Sequence, residues 1–71
     1  MIKVQKQFGL KLKKIRLKRG FTQEFLADKA GLHFTYVGQA ERGLRNITLE
    51  TLWKFSKALR VKGGELCYHF N

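Results

Sequence analysis

Apolar residues spaced three and four apart constrain this chain more than any other feature. Val4, Phe8, Leu12 and Ile15 step by four, four and three, which lays one stripe along a first helix of about four turns. Gly20 ends that helix, and Leu10 and Leu17 lie roughly opposite the stripe. Three later starts share one device, a capping position bracketed by an apolar pair. Thr22 precedes a helix beginning at Gln23, with Phe21 spaced to pack on Leu26. Thr48 precedes one beginning at Leu49, with Ile47 spaced to pack on Leu52. His33 holds the same position before Phe34, with Leu32 and Val37 as the pair. Such staples fix the direction in which the chain enters its helix. Histidine caps less well than Ser or Thr, so the middle start is the least strongly written. Leu52, Phe55 and Leu59 share one face of the segment 49–59. Beyond it Gly63 and Gly64 read as a turn, and residues 65–70 as one short closing helix. The expected fold is all-α, a compact domain of four to five helices.

Seventy-one residues without proline, repeats or low-complexity runs make one domain, 1–71. A chain this short buries a modest share of its surface, so its core supplies only a few kcal/mol. Cys67 is the single cysteine, which excludes an internal disulfide and suits a reducing compartment. No apolar run is long enough to cross a bilayer and no signal-peptide pattern opens the chain, so a soluble, cytoplasmic protein is expected. Fifteen Lys and Arg against five Asp and Glu give a net charge of +10, and the first 23 positions hold eight basic residues and no acid. Such a field draws polyanions, chiefly nucleic acid or an anionic membrane surface. The plain alternative is charge that merely solubilises. Membrane binding by the basic first helix is the weaker reading, because a small core needs its apolar stripe.

Residues 34–42 carry the sharper signal. On a helical wheel Tyr36, Val37 and Ala40 fall on one side, expected to be core. Thr35, Gly38, Gln39 and Arg42 fall on the other. Glycine inside a helix costs about 1 kcal/mol relative to alanine, a cost that makes sense where something must approach the helix closely. Thr and Gln can hydrogen-bond base edges, Arg can reach a base or a phosphate, and the major groove admits one α-helix. The mounting is also present. A helix from Gln23 to about Lys29 leads through Ala30, Gly31 and Leu32 into the second helix, with Gly31 at the turn, where a positive φ favours glycine. This is helix-turn-helix spacing, with its core at about 22–42. The spacing alone also fits any αα-hairpin; the basic first helix and the polar face favour DNA.

The stretch from Leu12 to Leu59 resembles the lambda-repressor-like helix-turn-helix proteins, including phage Cro and repressor domains and the xenobiotic-response-element family. The matching residues are "TQEFLADKAGL", "TYVGQAERG" and "RNITLETLWKFSKAL". Within that family, "GLHFTYVGQAERGLRNITLETL" looks most like the controller proteins of restriction–modification systems, which bind DNA as homodimers. Regulators of phages and other mobile elements share the pattern. The resemblance implies that Phe34, Thr35 and Gln39 read bases, with Gly38 beside them on the same face. It implies backbone contacts from Gln23, Arg42, Arg45 and Asn46, and a structural pair between Arg16 and Glu41. Four departures stand out. His33 replaces the usual Ser or Thr cap. Phe34 stands where a polar or basic reader is common; it either meets thymine methyls or packs on the neighbouring helix. Ala40 is smaller than usual, which predicts a loose local core, and Gly63 alters the conventional dimer surface.

Other chemistry is not written here. His33, His69 and Cys67 fit no zinc spacing, Cys67 and His69 point to different faces of a helix, and the carboxylates form no acid–base pair. Neither cofactor, metal nor catalysis is expected. The reading is a homodimeric, sequence-specific regulator whose two recognition helices enter successive major grooves about 34 Å apart on a palindromic operator. Leu66, Tyr68 and Phe70, in the segment 60–71, and also Trp53, are assigned to the dimer contact. Repression by blocking RNA polymerase and activation by touching it both fit. The rivals are an antitoxin-like module that holds a protein partner through its C-terminal apolar residues, and a nucleic-acid binder driven by charge alone.

Overall fold

In the computed structural model, which describes residues 3–62 and Leu66, the chain forms α1 (Val4–Lys18), α2 (Gln23–Ala30), α3 (Phe34–Glu41) and α4 (Leu49–Leu59). The helix starts follow local chemistry. The Thr22 hydroxyl accepts from the Phe25 amide and the Thr48 hydroxyl from the Thr51 amide, each satisfying one unpaired donor of a first turn. At α3 the imidazole Nδ1 of His33 does the same work, accepting from the Thr35 amide at 3.1 Å. Between α2 and α3, Gly31 takes a left-handed φ of 70° and closes the last turn of α2. That conformation turns the chain directly into the start of α3.

Phe8 and Leu12 from α1, Leu26, Ala27 and Ala30 from α2, Val37 and Ala40 from α3, and Phe55 and Leu59 from α4 form one buried cluster. Ile15, Phe21, Leu32, Tyr36, Ile47 and Leu52 pack against it, half-buried. Two expectations about this core are corrected. Val4 belongs to the apolar stripe by spacing but is 60% exposed. It sits in the first turn of α1, on the rim of a groove shared with Ile47, Leu49 and Leu52. Leu66, assigned to a dimer contact, is fully buried in the cluster and has no surface to offer a partner. Leu66 is helical, while the remainder of the closing helix expected over 65–70, including Tyr68 and Phe70, lies outside the described residues.

Ala40 is buried, and the main chain beside it is approached closely by another helix. A side chain built on Gly9 of α1 would meet the carbonyl oxygen of Ala40 at 2.5 Å and collide with that of Glu41 as well. Gly9 therefore lets the backbones of α1 and α3 approach where any side chain at that position would hold them apart. This crossing sets the position of the recognition helix.

Candidate nucleic-acid interface

α3 is anchored from behind by a buried ion pair. The Arg16 guanidinium, on α1, donates through Nε to Glu41 Oε2 at 2.6 Å and through Nη2 to Oε1 at 3.2 Å. Its Nη1 donates to the Phe21 carbonyl at 2.7 Å, and the Gln23 amide donates to Glu41 Oε1 at 3.0 Å. One guanidinium thus ties the end of α1, the entry to α2 and the end of α3 together. Both Glu41 carboxylate oxygens face donors, the condition under which a buried pair is tolerable.

The exposed side of α3 is less bare than its composition suggests. Thr35 and Arg42 are exposed and Gln39 is half-buried. Gly38 is buried: the place of its missing side chain lies 3.4 Å from Gln23 Oε1 and 3.9 Å from an Arg42 guanidinium nitrogen. Gln23 therefore lies across Gly38 on its way to Glu41. Phe34 is 50% exposed, with its ring stacked on His33 at 4.9 Å.

The loop after α3 brings two further polar side chains close. Arg45 Nε donates to Gln39 Oε1 at 2.8 Å, and its guanidinium lies 5.1 Å from the centre of the Tyr36 ring. Tyr36 in turn stacks on buried Phe55 at 6.4 Å. Asn46 accepts a hydrogen bond from Gln5 of α1. Sequence reasoning placed Arg45 and Asn46 beside α3 but missed these internal partners, which nothing in local spacing announces. Trp53 lies on α4, 59% exposed, with the Lys57 ammonium over its ring. Among the described residues no cluster of His, Cys, Asp and Glu could hold a metal ion, and no helix is long and apolar enough to cross a membrane.

Comparison with known proteins accounts for this arrangement. A family model described as helix-turn-helix matches residues 12–66. The control protein C.BamHI of Bacillus amyloliquefaciens is 47% identical over 60 residues, covering 83% of this chain and 74% of that protein. The crystal structure of the restriction-modification controller protein C.AhdI from Aeromonas hydrophila superposes with a TM-score of 0.86 at 40% identity, covering 87% of this chain and 94% of that one. C.Esp1396I, solved as a tetramer on its natural 35-base-pair operator, gives a TM-score of 0.80 at 39% identity, covering 87% of this chain and 82% of that one. The chain belongs to the lambda-repressor-like helix-turn-helix family of DNA-binding transcriptional regulators, among the relatives of restriction–modification controller proteins.

Proposed function

We propose that this protein is the controller of a restriction–modification system and acts as a homodimer on a palindromic operator. The observation that carries the reading is the mounting of α3. It is capped by His33, held from behind by Arg16 and Glu41, and presents Thr35, Gln39 and Arg42 on its outer side. A helix fixed at both ends can be inserted into a groove as a rigid reader, which is what direct readout requires. In this reading Phe34, Thr35 and Gln39 meet base edges, while Arg42 and Asn46 meet phosphates. Gln23 and Gly38 shape the surface between them. Charge of +10 supplies the sequence-independent part of the affinity.

The second copy is supported by size and by operator symmetry. A small domain reading a few base pairs gains specificity by pairing two recognition helices across two half-sites. Trp53, with Tyr68 and Phe70, remains the proposed contact, and Leu66 supports it from within the core. The protein carries out no catalysis and needs no cofactor in this reading; it works in the cytoplasm, and its contact with RNA polymerase decides between activation and repression. The sequence upstream of its own gene should contain a short inverted repeat, with restriction and methylation genes adjacent. Sedimentation at micromolar concentration, alone and with that repeat, should give a dimer. A strict monomer in both states would end the dimeric reading.

A further inference from the structure

We propose that Arg45 sets which base Gln39 reads, making that position of the recognition helix select guanine rather than adenine. The inference rests on the DNA-reading role of α3 and deepens it. A guanidinium carries only donors, so the end of the Gln39 amide facing Arg45 Nε at 2.8 Å must be its oxygen. The other end, the Nε2 amino group, is then the terminus left to meet a base.

Glutamine reads adenine by using both ends at once, donating to N7 and accepting from the N6 amino group. With one lone pair of Oε1 taken by Arg45, the adenine N6 amino group would have to share that oxygen with the guanidinium. Two donors then crowd on one acceptor, so the bridge disfavours that pairing. Guanine asks for the opposite: N7 and O6 are both acceptors in the major groove. The Gln39 amino group and the remaining guanidinium N–H groups of Arg45 together form an all-donor surface that matches such an edge.

The bridge is also braced. The Arg45 guanidinium lies over the Tyr36 ring, and Tyr36 stacks on Phe55 in the core. A cation over an aromatic face gains attraction without competing for the N–H groups. Arg45 therefore acts in two ways, by orienting the Gln39 amide and by adding its own N–H donors to the same edge. A residue that met only phosphate would affect all sequences alike.

The test is selection of bound duplexes from a random library by the full-length protein and its variants, followed by sequencing. Gln39→Ala identifies the base pair concerned, as the position whose preference it flattens. The wild type should favour guanine there by roughly tenfold, within the range of a good bidentate contact. Arg45→Ala should release the amide and move the preference at that position to adenine, leaving preferences elsewhere in place. Lys13→Ala, an exposed charge loss on α1, should lower affinity without moving it. Three results would overturn the proposal: wild-type selection of adenine at that position, a Gln39→Ala variant that flattens none, or an Arg45→Ala variant that weakens binding with its preference unchanged. A wild type that selects no sequence at all would instead fail the DNA-reading role of α3, and the proposal with it.

Discussion

Arg16 and Glu41, 25 positions apart in the chain, meet in a buried two-point ion pair that joins the end of the first helix to the end of the recognition helix. Removing one member of such a pair strands the other charge in the interior, which costs about 3–5 kcal/mol. Glu41→Ala should lower the melting temperature strongly, since each kcal/mol moves a domain of this size by roughly 4–8 °C. The double replacement Arg16→Met with Glu41→Leu should recover much of that loss, because neither charge is then left unpaired. Thermal unfolding followed by circular dichroism measures both. An unchanged melting temperature in Glu41→Ala would show that the pair does not hold α3.

The two glycines inside helices should respond in opposite directions. Gly9→Ala places a methyl group against the backbone of Ala40 and Glu41, which cannot yield without moving α3. It should destabilise by about 1–3 kcal/mol. Gly38→Ala meets only the flexible ends of Gln23 and Arg42 at ordinary contact distances. It should stabilise by up to about 1 kcal/mol through helix propensity. Denaturant titration of the two variants checks the signs.

A larger side chain at the same place separates fold from function. Gly38→Leu must displace Gln23, which then loses its hydrogen bond to Glu41. The domain should remain folded, because leucine favours the helix and Gln23 can turn to water. Specific DNA binding should fall, because the surface between Thr35 and Arg42 is filled. Folding by circular dichroism, with binding to a selected duplex by fluorescence anisotropy, reads the two effects separately. Full affinity in this variant would remove Gly38 from the interface.

These variants mark the boundary of what local pattern reveals. The Thr22 and Thr48 caps, the turn at Gly31 and the core positions Leu26, Val37, Phe55 and Leu59 follow from spacing and capping chemistry, which act within one or two turns. The partners of Gly9, Gly38, Gln39 and Leu66 were not legible. Gly9 is explained only by Ala40 and Glu41, more than thirty positions away, and Gly38 has Gln23 folded across it at ordinary contact distance. Leu66 follows a double glycine that reads as an end of the core, yet its side chain fills the cluster. Val4 shows the converse: periodicity continues into a first turn that leaves its side chain 60% exposed.

Arg60 offers a check on the backbone itself. It ends α4 in the left-handed region at φ 58°, the only described non-glycine residue with positive φ. Arg60→Gly should raise stability by about 1 kcal/mol, because the branched backbone position is relieved of its Cβ clash. Equilibrium unfolding in urea measures it.

The central claim is that α3 reads sequence rather than merely adding to a basic surface. The most direct measurement compares affinity for a duplex selected by this protein with affinity for a random duplex of equal length, at physiological salt. A sequence-reading dimer should prefer the selected duplex by about a thousandfold or more. Gln39→Ala should reduce that preference about 5- to 150-fold while leaving random-duplex binding nearly intact. Equal affinity for the two duplexes, falling in parallel as salt rises, would contradict the account and leave charge alone to explain the binding.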